Sequence, residues 1–399
     1  MKNTPTLLSY ALAAAVGAIG LASCGGGGGS SEGGMGTLRL ALTDAPACGF
    51  ENAFVTVEKV RVHKSATALE SDSAWQEVVL PTPQRIDLLT LTNGTLQPLG
   101  QARLPAGAYT QLRLVLAPNT AADPLANAVK PIGGAETALT TPSGQQSGLK
   151  LKANIEVPAD RIVDFAIDFD ACKSFVRAGN SGKILLKPVL NVIPILTDAG
   201  QRVEGYLDLS LVAQGATVSV QSGGMRQHAT QPRSDGKFIL YPVPPGNYEL
   251  VITAAGRVNA VFTDVPVTTT AVTTLGNPTA RINTPTSAAS HAASGTIAAN
   301  ASVIDTGGVV RALQSFTGGP SVEVGSANAL SNNGVYNLTL PAGAPVRLVY
   351  SATATAFPWA PDAPRAGLYR LEATATGFAT PKTADITLSA PVARDFSFP

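Results

Sequence analysis

Apolar and polar residues alternate along almost the whole chain after residue 36. A period of two places successive side chains on opposite faces of an extended strand, so such runs predict half-buried antiparallel strands. No segment after the first 23 residues keeps a helical period over three turns. The predicted fold class is therefore all-β, built as tandem antiparallel β-sandwich modules. The alternating runs lie at residues 37–42, 111–116, 149–155, 207–211, 248–254, 346–350 and 369–373.

One strand carries a break in this alternation. Between residues 54 and 62 the apolar positions shift from Val55 and Val57 to Val60 and Val62. An odd spacing moves the apolar set to the other face of the strand, so a bulge or bend is predicted near residues 58–59.

The start of the chain has the form of a secretory signal peptide. Lys2 precedes an apolar stretch from Leu7 to Ala22, which is short for a membrane-spanning helix. The segment LASC, ending at Cys24, resembles a bacterial lipobox. The resemblance implies cleavage before Cys24 and acylation of its thiol, which would link the protein to a membrane. The alternative is an uncleaved anchor with a chance cysteine.

A glycine-rich run follows Cys24 and predicts a tether. About ten residues of this composition reach roughly 15–20 Å. Gly25 stands where an aspartate marks retention at the inner membrane, so the sorting rule of Gram-negative lipoproteins implies the outer membrane. The predicted location is the bacterial cell envelope, with the protein held there by lipid.

Turn signals and shifts in composition divide the chain. A phrase of proline and glycine before a new strand recurs at 104–109, 243–248 and 340–343, and this spacing indicates separate sandwich modules. The predicted divisions are a signal peptide (1–23), the lipidated cysteine and tether (24–35), a first sandwich (36–196), a second sandwich (201–280), a linker (281–294) and a degenerate third sandwich (295–399).

The first module resembles the bacterial lipoprotein family described as "domain of unknown function 4382". This resemblance implies a β-rich envelope domain and no activity. The residues that carry it lie at 40–46, 60–63, 75, 86–89, 104–114, 168–170 and 182–189.

The second module looks like a carboxypeptidase regulatory-like, transthyretin-type sandwich, through its segments 215–220, 235–238 and 243–250. The resemblance implies a module that stabilises, spaces or mediates contacts. The third module is similar, but Pro345 stands where the pattern has a tyrosine, which puts its topology in question.

Cysteine usage fits an oxidising compartment. The chain has three cysteines. With Cys24 assigned to lipid, the simplest use of Cys48 and Cys172 is one disulfide. The alternative is two separately buried thiols.

Charge and motifs exclude several functions. The chain has 28 basic and 27 acidic residues, a balance that argues against a nucleic-acid partner. Its three histidines are too far apart in sequence for metal-ligand spacing, and the common hydrolase, zinc-protease and nucleotide-binding motifs are missing. We predict a protein that is not an enzyme and has no cofactor.

Three aspartates form the one polar constellation. Asp164, Asp168 and Asp170 share a face of a predicted strand, and carboxylates in such an arrangement could bind Ca²⁺. The favoured interpretation is a solvated acidic face without metal. The cations expected to neutralise it are Arg113, Lys150, Lys152 and Lys187.

The two tryptophans bear on carbohydrate binding. Trp75 is expected beside a core, whereas Trp359, flanked by prolines, is the candidate for an exposed binding platform.

The sequence thus predicts a non-enzymatic, lipid-anchored envelope protein that acts as a scaffold or interaction module. Its predicted partners are the membrane, through the lipid, and envelope proteins or glycans. The alternatives are a glycan- or peptide-binding lipoprotein that uses loops of the first module, and a hydrolase that uses the aspartates.

Overall fold

The computed structural model describes residues 34–44, 49–141, 148–178, 182–299, 308–331 and 333–399. These residues form strands joined by turns, with two short α-helices, α1 (Ala171–Ser174) and α2 (Leu209–Ala213), and 3-10 turns at Leu88–Thr90 and Ala363–Arg365. The predicted all-β class is confirmed. Within these ranges, neither helix has the length and apolarity needed to cross a bilayer.

The first part of the chain forms two sheets around one core. The smaller sheet has the order β12-β9-β1-β4. Its strands are β1 (Met35–Asp44), β4 (Gln97–Pro105), β9 (Ile162–Phe169) and β12 (Leu190–Ile195). Strand β1 pairs parallel with β9, and Leu38, Leu40 and Leu42 of β1 are buried in the core.

The larger sheet has the order β10-β11-β7-β6-β2-β5-β8, with β3 paired to β2. Its strands are β2 (Phe50–His63), β3 (Gln76–Asp87), β5 (Gly107–Leu116), β6 (Ala128–Pro131), β7 (Thr137–Thr140), β8 (Leu149–Val157), β10 (Phe175–Arg177) and β11 (Ile184–Leu186). In β2 the register against β3 and against β5 shifts between Val57 and Lys59. The predicted bulge is confirmed.

Two further sheets follow, of orders β16-β13-β19 and β15-β14-β17-β18-β24-β25. Their strands are β13 (Val203–Tyr206), β14 (Thr217–Ser222), β15 (Met225–Thr230), β16 (Lys237–Leu240), β17 (Gly246–Thr253), β18 (Ala260–Val267), β19 (Thr273–Leu275), β24 (Val346–Val349) and β25 (Ala360–Pro361). Strands β24 and β25 come from the sequence of the third predicted module, yet β24 pairs parallel with β18 and Val346 joins the core of this part.

The last two sheets have the orders β23-β20-β28, with β29 also on β20, and β22-β21-β26-β27. Their strands are β20 (Ser290–Ala299), β21 (Gly308–Ser315), β22 (Ser321–Asn328), β23 (Val335–Pro341), β26 (Leu368–Ala375), β27 (Lys382–Thr387), β28 (Val392–Ala393) and β29 (Phe396–Phe398). Strand β20 begins inside the predicted linker 281–294. Its alanines, serines and glycine gave no alternation by which a strand could be recognised.

The prediction of a strand at residues 207–211 is wrong. Asp208 caps the N-terminus of α2, because its side chain accepts a hydrogen bond from the Ser210 amide. Leu207 and Leu211 are fully buried, whereas Leu209 is 50% exposed. Leucines two residues apart fit a strand, and leucines four residues apart fit one face of a helix. Leu207, Leu209 and Leu211 show both spacings, so the pattern did not distinguish the two structures.

All the described residues belong to one compact unit, Gly34–Pro399. Asn93 joins the first part to the second. Its backbone N–H donates to Thr230 Oγ1 at 3.0 Å. Its side-chain amide donates to the Gln231 carbonyl at 2.8 Å and accepts from the Ile239 backbone N–H at 3.1 Å. The division of this unit into three modules stays a prediction.

Candidate functional site

The three predicted aspartates each have a different partner. Asp164 lies on β9 directly opposite Arg39 of β1. The guanidinium Nε and Nη2 atoms of Arg39 each lie 2.6 Å from an oxygen of Asp164. This two-pronged contact neutralises Asp164 at the surface.

Asp168 is buried and faces the second part of the chain. Its Oδ1 atom lies 3.3 Å from Nδ1 of His228 on β15, and the side chains are 4% and 2% exposed. The two atoms do not meet the geometry of a hydrogen bond, so the contact between the two side chains is electrostatic.

Asp170 caps helix α1. Its side chain accepts from the Lys173 amide at 3.1 Å, and its other carboxylate oxygen lies 3.7 Å from Lys173 Nζ. Asp170 therefore has a structural role at the start of the helix.

The predicted solvated acidic face is wrong for Asp168 and Asp170, which are 3% and 7% exposed. Arg113, Lys150 and Lys152 were expected to neutralise that face. They lie on β5 and β8 of the larger sheet, whereas Asp164 and Asp168 lie on β9 of the smaller sheet. The sequence could not show that β9 pairs with β1. Across the described ranges, no group of three or more His, Cys, Asp or Glu side chains is placed to hold a metal ion. The calcium interpretation therefore has no support in the geometry.

Cys172, in α1, is disulfide-bonded. Cys24 and Cys48 lie outside the described residues, so the acylation of Cys24 and the pairing of Cys48 with Cys172 stay predictions.

A buried charge cluster beside α1 joins all three parts of the chain. We call it the Glu323 junction: Lys173, Gln221, Arg226, Arg311 and Glu323. Glu323, on β22, is 2% exposed. Its carboxylate lies 2.9 Å from Lys173 Nζ, 3.3 Å from Arg226 Nη2 and 3.6 Å from Arg311 Nη1.

The backbone of Glu323 is held as tightly as its side chain. The Gln221 side chain donates to the Glu323 carbonyl at 2.7 Å and accepts from the Glu323 amide at 2.8 Å. Burial raises the pKa of Glu323, but Arg226, Lys173 and Arg311 together outweigh this and hold the pKa below its usual value. Glu323 is therefore kept ionised inside the protein.

A second contact ties α1 to the same strand. The Asn328 side chain donates to the carbonyls of Cys172 and Phe175, at 3.1 and 3.2 Å. The disulfide-bonded helix is thus packed against β22 by both charge and hydrogen bonds.

Sequence reasoning missed the Glu323 junction. The alternation of Val322, Glu323 and Val324 predicts a strand with Glu323 on its polar face. The residues that cover that face, Lys173, Gln221 and Arg226, are distant in the chain. No local pattern in the sequence predicts their contact with Glu323.

A cleft of about 600 Å³ lies between the smaller sheet of the first part and the following segment. Its walls include Arg39, Asp164, Leu196, Asp198 and Tyr241. The Tyr241 hydroxyl donates to Asp198 at 3.3 Å, and burial, followed by the Asp198 charge, raises the pKa of Tyr241. Such a site offers polar contacts and aliphatic surface to a small ligand.

Trp359, the candidate for an exposed platform, is partly buried and packs against the core of the second part. Its ring packs 4.7 Å from that of Phe262, and its Nε1 donates to the Asn283 carbonyl at 2.6 Å. Trp75 is 8% exposed, as expected of a residue beside a core.

Comparison with known families matches residues 35–188 to the model described as "Domain of unknown function (DUF4382)". This supports the resemblance of the first module. The resemblance of the second module to carboxypeptidase regulatory-like domains stays a prediction. No curated protein matches the chain.

Among solved structures, one match is a type II cohesin–X-dockerin complex from Acetivibrio cellulolyticus. It has 24% identity and TM-score 0.19, and the match covers 21% of this chain and 57% of that one. The Bacillus anthracis TIE protein has 10% identity and TM-score 0.18, over 91% of this chain and 51% of that one. The major pilin subunit BcpA of Bacillus cereus has 12% identity and TM-score 0.16, over 91% and 99%. The chain thus spans little more than half of the first two proteins, and similarities this low carry no argument.

Proposed function

We propose that this protein is a non-enzymatic scaffold of the bacterial cell envelope, anchored by lipid at Cys24. The observation that supports a scaffold is the Glu323 junction. Lys173 comes from the first part of the chain, Arg226 from the second and Glu323 from the third, and they meet at one buried point. A protein that spaces or displays a surface needs such fixed orientation between its parts.

The chemistry of the junction favours orientation over catalysis. A buried ion cluster adds little net stability compared with apolar packing, because each charge loses its hydration. Its contribution is geometric, because the observed arrangement brings cations from all three parts of the chain to one carboxylate. The carboxylate is buried within this cluster, so it is closed to a substrate.

The anchor is tested in cells that express the full chain. Growth with an alkyne fatty acid, followed by click labelling, should mark the wild-type protein and leave Cys24→Ala unmarked. The labelled protein should sediment with membranes. Labelling of Cys24→Ala at the wild-type level would overturn the anchor.

The scaffold is tested by crosslinking in intact envelopes and mass spectrometry of the purified protein. We expect the same envelope components to crosslink to the wild type in independent preparations. Glu323→Gln should reduce these crosslinks while fatty-acid labelling at Cys24 persists. If the same acylated protein yields no component above a control lipoprotein, the scaffold proposal is wrong.

The cleft beside Tyr241 favours a second candidate, a glycan- or peptide-binding lipoprotein. The cleft is bounded by the smaller sheet and by Leu196 and Tyr241, rather than by the loops predicted from sequence. Leu196 is 59% exposed, so Leu196→Asp can change the site with little effect on folding. Glycan and peptide arrays should bind the wild type more strongly than Leu196→Asp if the cleft is the site, and equal binding excludes it.

A further inference from the structure

Five cations share the outer face of the larger sheet in the first part of the chain. We call it the cationic face: Lys59, Arg61, Arg113, Lys150 and Lys152. Arg61 lies directly opposite Arg113, and Arg113 lies directly opposite Lys150 on the next strand. Lys59 and Lys152 occupy the adjoining positions on the same face.

Like charges opposite one another in a sheet repel, so this row has a cost in stability. Trp75 offsets part of it, because its ring lies 4.8 Å from the Arg61 guanidinium carbon and 4.7 Å from that of Arg113. Glu77 contacts Lys59 at 3.0 Å and Arg61 at 3.1 Å. The fold thus holds the arginines side by side rather than separating them.

Two of the five cations are open to solvent. Lys150 and Lys152 are exposed, whereas the Lys59 side chain is 33% exposed and Arg113 is 5% exposed. Burial, followed by the charge of Arg61, lowers the pKa of Arg113, while Glu70 and Asp72 act in the opposite direction. The whole chain has nearly equal numbers of basic and acidic residues, so the exposed lysines form a local positive patch. Such a patch attracts anions.

Exposed apolar side chains accompany the charge. Val79, directly opposite Lys59 on β3, is 62% exposed, and Leu69, in the loop that carries Trp75, is 66% exposed. Glu70 and Asp72 of that loop and Glu156 of β8 are exposed acidic neighbours, so Lys150 and Lys152 carry the positive charge that faces solvent. The face is a sheet surface rather than a groove, which suits a flat partner.

The face lies close to the start of the predicted tether. Lys64, at the end of β2, donates from Nζ to the Ala106 carbonyl at 2.8 Å. The Ala106 amide in turn donates to the Gly34 carbonyl at 2.7 Å, and residues 24–33 continue from Gly34 towards Cys24. An acylated Cys24 would therefore bring a bilayer within reach of the face.

We propose that the cationic face docks the first part of the chain onto the anionic headgroups of a phospholipid bilayer. Lys150 and Lys152 would contact headgroup phosphates, and Val79 and Leu69 would enter the interfacial layer. The inference rests on the proposed lipid anchor for its location in the cell. The docking itself is measurable without the anchor.

The experiment uses residues 34–399, since these form one compact unit with its own cores. Cosedimentation at low ionic strength compares vesicles of phosphatidylglycerol and phosphatidylcholine (1:1) with vesicles of phosphatidylcholine alone. Each basic side chain at an anionic surface strengthens binding about fivefold. Lys150→Gln/Lys152→Gln should therefore bind the anionic vesicles about 25-fold more weakly. The matched control, Lys382→Gln/Arg394→Gln, removes two exposed cations from the third part and should bind like the wild type.

Binding that needs anionic lipid, weakens with salt and depends on Lys150 and Lys152 supports the proposal. Absence of binding, or an equal loss in the control variant, overturns it. Binding to soluble polygalacturonate but not to vesicles also overturns it and assigns the face to an acidic glycan. Fatty-acid labelling of Cys24 is independent of these results, so failure of the anchor and failure of the docking surface are distinguishable.

Discussion

The carboxylate of Glu323 lies 2.9 Å from the ammonium group of Lys173, in an environment that leaves the Glu323 side chain 2% exposed. Lys173 is the residue after the disulfide-bonded Cys172, and Glu323 is in the middle of β22. One ion pair therefore couples the covalent crosslink of the first part to the packing of the third. A change at Glu323 should therefore affect the packing of both parts.

Glu323→Gln should lower the free energy of unfolding by about 3–5 kcal/mol, because the cations around it would be left buried without their counter-charge. Urea denaturation followed by circular dichroism measures the change. Asp385→Asn is the matched control. Asp385 pairs with Arg370 at the surface, where both side chains are more than half exposed, and its loss should cost less than about 1 kcal/mol. Equal effects of the two variants would show that the junction is not energetically special.

The junction should also make stability depend on pH. The pKa of Glu323 is lower in the folded protein than in the unfolded chain, so the carboxylate stabilises the fold above the usual glutamate pKa. This contribution should be lost as the pH falls through the lowered pKa. The difference in unfolding free energy between wild type and Glu323→Gln should therefore shrink between pH 6 and pH 3. A difference that stays constant over this range would contradict the assignment.

The sequence determined the strands better than the contacts between them. The apolar period of two at Leu38, Leu40 and Leu42 predicted a strand and also predicted which face of that strand is buried. For Asp164 and Asp168 the shared strand was correct, but the contacts with Arg39 and His228 were not predicted. Arg39 reaches Asp164 because β1 and β9 pair in parallel, and that pairing brings together residues distant in the chain.

Contacts between distant residues also explain why the Glu323 junction and the packing of Trp359 were not predicted. Local pattern placed Glu323 on a polar face, and tertiary packing then buried that face. Flanking prolines suggested an exposed loop at Trp359, yet β24 joins the sheet of the second part and carries the following segment onto Phe262. Both outcomes depend on how sheets stack, a property that a single sequence does not encode in any local signal.

The disulfide of Cys172 should contribute about 2–5 kcal/mol to stability, since crosslinks restrict the unfolded chain. If Cys48 is its partner, Cys48→Ser, Cys172→Ser and the double variant should show the same midpoint of urea unfolding. Mass spectrometry of unreduced peptides should show the two cysteines joined. A free thiol at Cys48 in the wild type, or additive losses in the double variant, would exclude this pairing.

Trp359→Ala should destabilise the protein by about 2 kcal/mol, because the indole packs on Phe262 and satisfies the Asn283 carbonyl. Trp359→Phe is the matched variant: it keeps an aromatic ring against Phe262 and removes the N–H donor, so it should cost about 1 kcal/mol. Thermal unfolding measures both changes. Because the ring packs into the fold instead of standing free as a platform, glycan and peptidoglycan pull-downs should be unchanged by Trp359→Phe. A pull-down that fails with Trp359→Phe while the variant remains folded would restore Trp359 as a binding residue.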